Sequence, residues 1–86
     1  MRHRTANSFW LAYERLPKEI QKLAVRNFAL LVADPQHPSL RFKPVGRCWS
    51  ARVGRDYRAA AVRRGDDFIW FWIGGHAEYD RLIRMR

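Results

Sequence analysis

The first third of the chain carries apolar residues at helical spacing, in two stretches separated by Pro17. A first helix, capped at Thr5 or Asn7, is expected to end before this proline. A second helix is expected to begin at Pro17, where a missing N–H costs nothing, and to end near Ala33. The apolar positions that predict these helices are Phe9, Ala12, Tyr13 and Leu16 for the first, and Ile20, Leu23, Ala24, Phe28 and Leu31 for the second.

Beyond residue 39 the period of the apolar positions changes from about 3.6 to 2, which predicts strands. Gly65, Asp66 and Asp67 supply the residues of a hairpin turn between the last two strands. The predicted segments are strands around Leu40 and Phe42, over residues 49–54, 57–64 and 68–73, and a last helical turn or two over 76–83.

The run Phe68–Ile73 is apolar at every position, which predicts an interior strand with helices on at least one face. We expect the strand from Tyr57 beside it and the helix from Pro17 over it. Trp70 and Trp72 are two residues apart, so a regular strand places both on one face, as core residues. The sequence therefore predicts one α+β domain of all 86 residues: an N-terminal helical hairpin packed on a mostly antiparallel, four-stranded twisted sheet, with a short C-terminal helical segment.

Composition adds a strong positive charge to this fold. The chain has 17 Lys and Arg against 8 Asp and Glu, a formal net charge of +9, and such self-repulsion favours an anionic partner. The run Phe68–Ile73 is the longest apolar stretch and falls far short of the roughly 18 residues that span a bilayer, so we expect no membrane span. A single cysteine, Cys48, forms no internal disulfide, and the first residues do not resemble a signal peptide, which predicts a cytoplasmic protein.

Basic residues are concentrated between residues 41 and 58, where Asp56 is the only acid. Most of this segment is predicted strand, and residues two apart, such as Ser50 and Arg52, share a face there. A cationic sheet face suits a phosphate backbone, because guanidinium groups bind phosphate oxygens in pairs. Charges on an edge strand also prevent aggregation, and composition does not decide between these two roles. The basic residues of the segment are Arg41, Lys43, Arg47, Arg52, Arg55 and Arg58.

His76 follows a Gly-Gly pair directly after the predicted interior strand, a common place for a site residue. Its imidazole can act as a general acid or base, although a surface histidine that caps the next turn gives the same pattern. His3 and His37 lie in polar flanking segments. Tyr79 suits the core and the stacking of a base equally well. No zinc-type His or Cys spacing, glycine-rich loop before a helix or G-x-S-x-G motif is present, so we expect no metal and no cofactor.

Three segments carry a more specific signal: residues 37–43 (HPSLRFK), 49–58 (WSARVGRDYR) and 73–80 (IGGHAEYD). With their R-V-x-x-x-Y-R strand pair and G-H-x-x-Y-D ending, they resemble the RelE/ParE superfamily of bacterial toxins. The resemblance covers nearly the whole chain and implies the same α+β fold and a place in a type II toxin–antitoxin pair. In ribonuclease members of that family, basic residues on the concave sheet bind messenger RNA in the ribosomal A site, and cleavage needs no metal.

Site residues carry over by position. Arg58 is similar to the family's phosphate-binding arginine after the strand tyrosine, and Arg52 to one of its two strand cations. Ser50 stands where RelE has a second lysine, a departure that bears on the strength of catalysis. His76 and Tyr79 lie where members place an acid, a base or a stacking tyrosine. The resemblance implies catalytic roles for Arg52, Arg58, His76 and Tyr79, and RNA-binding roles for Arg41, Lys43, Ser50 and Arg55.

The function implied is a ribosome-dependent, metal-independent mRNA endoribonuclease that inhibits translation, with mRNA, the ribosome and an acidic antitoxin as partners. Two alternatives stay open: a ParE-like inhibitor of DNA gyrase with no chemistry of its own, and an inactive relative that only binds an antitoxin. We expect an acidic, amphipathic antitoxin segment to compete with RNA for the cationic surface. That surface carries Arg41, Lys43, Arg52 and Arg58.

Overall fold

The computed structural model describes residues 2–84, in which five strands form one mixed sheet. The elements are β1 (Arg2–Thr5), α1 (Asn7–Glu14), α2 (Lys18–Ala33), a 3₁₀ turn (Pro38–Leu40), β2 (Lys43–Val45), β3 (Cys48–Val53), β4 (Tyr57–Arg64), β5 (Asp67–Gly75) and α3 (His76–Arg84). The strand order is β1-β5-β4-β3-β2, with β1 parallel to β5 and the other neighbours antiparallel.

Helices cover both faces of this sheet. α1 packs along β5 and α2 against β3, and the core beneath them includes Leu31, Trp70 and Ile73. α3 packs on β4 and β5 from the opposite side, where Tyr79 lies near Trp72. The α+β class and the interior position of β5 are confirmed. Of the helices within residues 2–84, none has the length and apolarity of a membrane span.

The predicted N-terminal helical hairpin on a four-stranded antiparallel sheet is wrong. β1 precedes the helices and adds a fifth, parallel strand, and the first helix rather than the second packs along β5. The polar sequence of β1 has no apolar alternation, so it gives no strand signal. It is held instead by pairing with β5, by the Ala6 N–H that donates to the Trp70 carbonyl at 2.8 Å, and by ion pairs. Arg2 and Arg4 approach the Asp67 carboxylate to 3.9 and 3.6 Å.

The first predicted strand, around Leu40, begins later, at Lys43. Pro38 fixes the backbone at the start of a 3₁₀ turn, and Leu40 is buried in the core at the end of this turn. Arg41 then has a φ of 46°, a left-handed conformation outside the strand region. The alternation of apolar and basic residues here therefore belongs to a turn.

A β-bulge at Phe71 separates the two tryptophans of β5. Trp70 pairs with Ala61 and Trp72 with Ala60, so Phe71 is the extra residue. Trp70 faces the core under α1 and α2, whereas Trp72 faces α3 on the other side. The prediction that both tryptophans share a face is wrong, because a bulge shifts the alternation of side chains by one residue.

Other boundaries agree closely with the sequence. The third predicted strand, Tyr57–Arg64, and the end of α2 at Ala33 are confirmed. The cap of α1 is Ala6 rather than Thr5 or Asn7, because Thr5 is the last residue of β1. The C-terminal segment is a helix of 9 residues, longer than the predicted turn or two.

Candidate nucleic-acid interface

The face of the sheet opposite α1 and α2, here called the outer face, carries two rows of side chains across the strands. Paired residues of neighbouring strands project from the same face, so the register defines both rows. One row is Lys43, Ser50, Ala60 and Trp72, and the other is Arg52, Arg58 and Gly74.

Arg52 and Arg58 are direct cross-strand neighbours, and both are partly buried. Each orients its guanidinium on a nearby carbonyl: Arg58 Nη1 donates to Tyr57 O at 2.9 Å and Arg52 Nε to Gly54 O at 3.0 Å. Burial, followed by the positive charges of Arg52 and Arg41, lowers the pKa of Arg58. Within residues 2–84 neither member of the pair forms a salt bridge with a carboxylate. Two oriented cations that form no salt bridge with the described residues make an anion-binding arrangement.

α3 places acid–base groups beside this arginine pair. Tyr79 is buried, and its ring centroid lies 6.4 Å from that of Trp72. Tyr79 and Asp80 raise the pKa of Arg58, which opposes the effect of the neighbouring arginines. His76 is exposed, with Nδ1 3.4 Å from the Asp80 carboxylate. A carboxylate at Nδ1 favours the tautomer with a proton there, which leaves Nε2 as the basic nitrogen.

The predicted RNA-binding residues are brought together only in part. Lys43 is exposed at the end of its row, and Arg41 lies close enough for its charge to act on Arg58. Ser50 is only 5% exposed, so it forms the floor between its neighbours. Arg55 lies in the β3–β4 turn, outside both rows. In the described part of the chain no group of three or more His, Cys, Asp or Glu residues could hold a metal ion.

A second surface, which the sequence reasoning missed, is an apolar groove between α1, α2 and the sheet. Its volume is about 280 Å³, and Trp70 and Ile73 line it. Trp10 and Phe28 are each 46% exposed beside it, although Phe28 was assigned to the buried stripe of α2. One residue in the sequence indicates this groove. Val25 is an apolar residue of α2 outside that stripe, and it is also exposed at the groove.

Solved toxin structures share this architecture. A chain of the RelB–RelE antitoxin–toxin complex from Methanococcus jannaschii matches with a TM-score of 0.71 and 19% identity, over 91% of this chain and 96% of that one. YafQ from E. coli matches with a TM-score of 0.67 and 12% identity, over 92% and 98% of the two chains. The YoeB/ParE toxin from Agrobacterium tumefaciens matches with a TM-score of 0.65 and 16% identity, over 88% of this chain and 99% of that one. No protein-family profile and no curated protein sequence matches the chain.

The fold is therefore that of the RelE/ParE toxins, with the three neighbours superimposing over nearly their whole length. The resemblance noted in the sequence is confirmed at the level of the fold. Of these neighbours, the M. jannaschii protein was solved as an antitoxin–toxin complex.

Proposed function

We propose that this chain is the toxin of a type II toxin–antitoxin pair and cleaves messenger RNA on the ribosome without a metal ion. The Arg52–Arg58 pair carries this proposal, since it presents two oriented, partly buried guanidinium groups on the outer face. A phosphodiester is an anion that such a pair binds well. The toxin fold of the solved neighbours supports the same function.

In the proposed reaction the ribose 2′-oxygen attacks the adjacent phosphorus. A 2′-O–P bond forms and the P–O5′ bond breaks, which gives a cyclic phosphate and a free 5′-hydroxyl. His76 Nε2 accepts the 2′-hydroxyl proton, and a proton from water reaches the leaving 5′-oxygen. Arg52 and Arg58 stabilise the negative charge that gathers on the phosphorus oxygens, an effect of about 3–4 kcal/mol for one well-placed donor. Tyr79, expected from the sequence to pack against a base, is buried beside Trp72 and acts instead on Arg58.

An acidic antitoxin is the partner that fits the second surface. The groove exposes Trp10 and Phe28, and the basic residues Lys22 and Arg26 lie exposed on α2. An acidic, amphipathic segment matches both the apolar groove and the charge. A second copy of this chain does not, because it also carries a net charge of +9.

Arg58→Ala tests the catalytic proposal. We expect it to abolish mRNA cleavage and growth inhibition while leaving the thermal unfolding midpoint nearly unchanged, because a phosphate-binding arginine contributes little to the empty fold. The measurement is a purified translation reaction in which mRNA integrity is followed by primer extension. Arg64→Ala, on the same strand but six positions away, is the control with equal charge and should cleave normally.

His76→Ala should weaken cleavage less than Arg58→Ala does. Cleavage at the normal rate in Arg58→Ala would remove this arginine from the mechanism. DNA breaks with intact mRNA in cells that express the protein would instead favour a gyrase inhibitor.

A further inference from the structure

We propose that Trp72 is a platform on which one RNA base stacks, in a cleft at the open edge of β5. This inference rests on the proposed function and says where a base of the substrate lies. β1 pairs with β5 only as far as Trp70, and within residues 2–84 no other strand lies along the edge of β5 at Trp72. The sheet is therefore open next to Trp72.

Two features of β5 place the indole of Trp72 on the outer face. The bulge at Phe71 turns Trp72 to the face that carries Arg58, which pairs with Gly74. Gly74 leaves room for the indole along the strand, since a Cβ at this position would fall 2.5 Å from Cζ2 of Trp72. Real Cβ atoms do not approach a neighbour so closely, so any larger residue at position 74 would displace the ring. A bulge and a glycine at this spacing are typical of strands that aim a side chain at a site.

The cleft beside Trp72 has a volume of about 280 Å³. Gly74, Gly75 and Glu78 line one part of it, and Arg15 at the end of α1 lines another. Trp72 is only partly buried there, so the indole is accessible to a planar ligand.

The cleft carries one charge of each sign, Glu78 and Arg15, so its charges give no net attraction for a phosphate. The Glu78 carboxylate accepts hydrogen bonds from the amino groups that bases carry. The arginine pair that suits the phosphate begins one strand away, at Arg58, and neighbouring strands are about 5 Å apart. One nucleotide can therefore place its phosphate at Arg58 and its base at Trp72. Stacking on an aromatic ring is the usual way in which proteins hold an unpaired base.

The test measures the binding of single-stranded RNA hexanucleotides, with 2′-O-methyl groups to prevent cleavage, by fluorescence anisotropy on the full chain. We expect Trp72→Ala to weaken binding about tenfold and Trp72→Phe by less than about threefold, because phenylalanine keeps a stacking surface. Gly74→Ala, which keeps the indole but displaces it, should weaken binding as Trp72→Ala does. Leu11→Ala, an exposed apolar residue of α1, is the control and should bind as wild type does.

A second arm locates the base itself. An abasic nucleotide is moved along the hexanucleotide, and at one position it should weaken binding to wild type about tenfold. The same abasic RNA should bind Trp72→Ala no more weakly than intact RNA does, because the two changes remove one contact. Thermal unfolding of each variant shows that it is folded.

The outcomes separate the two proposals. Equal affinity of Trp72→Ala and wild type, or additive losses in the abasic arm, would overturn the stacking platform and leave the ribonuclease proposal standing. Failure of the wild-type chain to bind RNA, with mRNA intact in the translation reaction, would overturn the ribonuclease proposal itself.

Discussion

His3 is an imidazole inside an aromatic cluster, although its neighbours in sequence are polar. Trp70 Nε1–H donates to His3 Nδ1 at 3.0 Å, and the rings of Phe28 and Phe68 lie 6.1 and 5.5 Å away. Nε2 is buried and has no hydrogen-bond partner within residues 2–84. Because the indole N–H can only donate, Nδ1 is unprotonated in the fold. Burial, and then the charge of the amino terminus, lowers the pKa of His3.

This arrangement predicts a loss of stability in mild acid. In the unfolded chain His3 takes up a proton near its ordinary pKa of about 6.5, whereas in the folded chain it does so only at lower pH. The contribution of His3 to the free energy of unfolding is therefore intact above about pH 6.5 and falls as the pH drops from there toward the lower folded pKa. Urea titrations at pH 7.5 and pH 5 measure this difference.

His3→Asn is the matched variant for this prediction, since its side-chain oxygen can accept from Trp70 but does not titrate. The variant should lose part of the stability difference between the two pH values. An identical difference in wild type and variant would assign the acid sensitivity to other groups.

At the scale of elements, β5 connects the core with the outer face. Trp70 is 4% exposed and contributes to the core, whereas Trp72 is only partly buried on the opposite side. We expect Trp70→Ala to reduce the free energy of unfolding by about 3–5 kcal/mol, as for other large aromatic truncations in cores. Trp72→Ala should reduce the free energy of unfolding by a clearly smaller amount. Chemical denaturation of both variants at pH 7.5 checks the order, and an equal or reversed order would contradict the assigned faces.

Periodicity predicted the elements that bury apolar residues and missed those that do not. The apolar residues of α2 repeat and those of β3 alternate regularly, so they define a face locally. β1 is held by backbone pairing, by ion pairs and by the contacts of His3, none of which leaves an apolar pattern in the sequence.

The bulge at Phe71 could not be predicted from the sequence for a different reason. Ser8 Oγ donates to the carbonyl of the bulged Phe71 at 2.7 Å, a contact between α1 and β5 across 63 positions of the chain. No local pattern reports such a contact. For the candidate site, the shared face of Ser50 and Arg52 followed from their spacing, whereas Trp72 required the true register.

At the scale of the molecule, two surfaces of different character lie on opposite sides of one sheet. The outer face carries the Arg52–Arg58 pair, which forms no salt bridge within residues 2–84, and the helical side carries the apolar groove. A single segment of the proposed antitoxin would have to pass an edge of the sheet to cover both. Charges mainly set the rate of encounter between such partners, whereas buried apolar contacts set the rate of dissociation.

Antitoxin binding should therefore respond differently to salt and to mutation. We expect the association rate with the proposed antitoxin to fall steeply with salt, because this chain carries a net charge of +9. Phe28→Ala, at the groove, should increase the dissociation rate with little effect on association. Stopped-flow titrations at several salt concentrations measure both rates. Association that is indifferent to salt would show that charge does not guide the encounter.

The pairing of β1 with β5 also determines when the sheet can be completed during synthesis. Residues 2–5 are synthesised before residues 67–70, which form their partner strand. At a synthesis rate of roughly 5–20 residues per second, β1 has no partner for several seconds. Such distant pairing also slows folding, because a long loop must close before the strand gains its hydrogen bonds. β1 is thus placed only after β5 has been synthesised, so the complete sheet, with both of its surfaces, is assembled late in the synthesis of this domain.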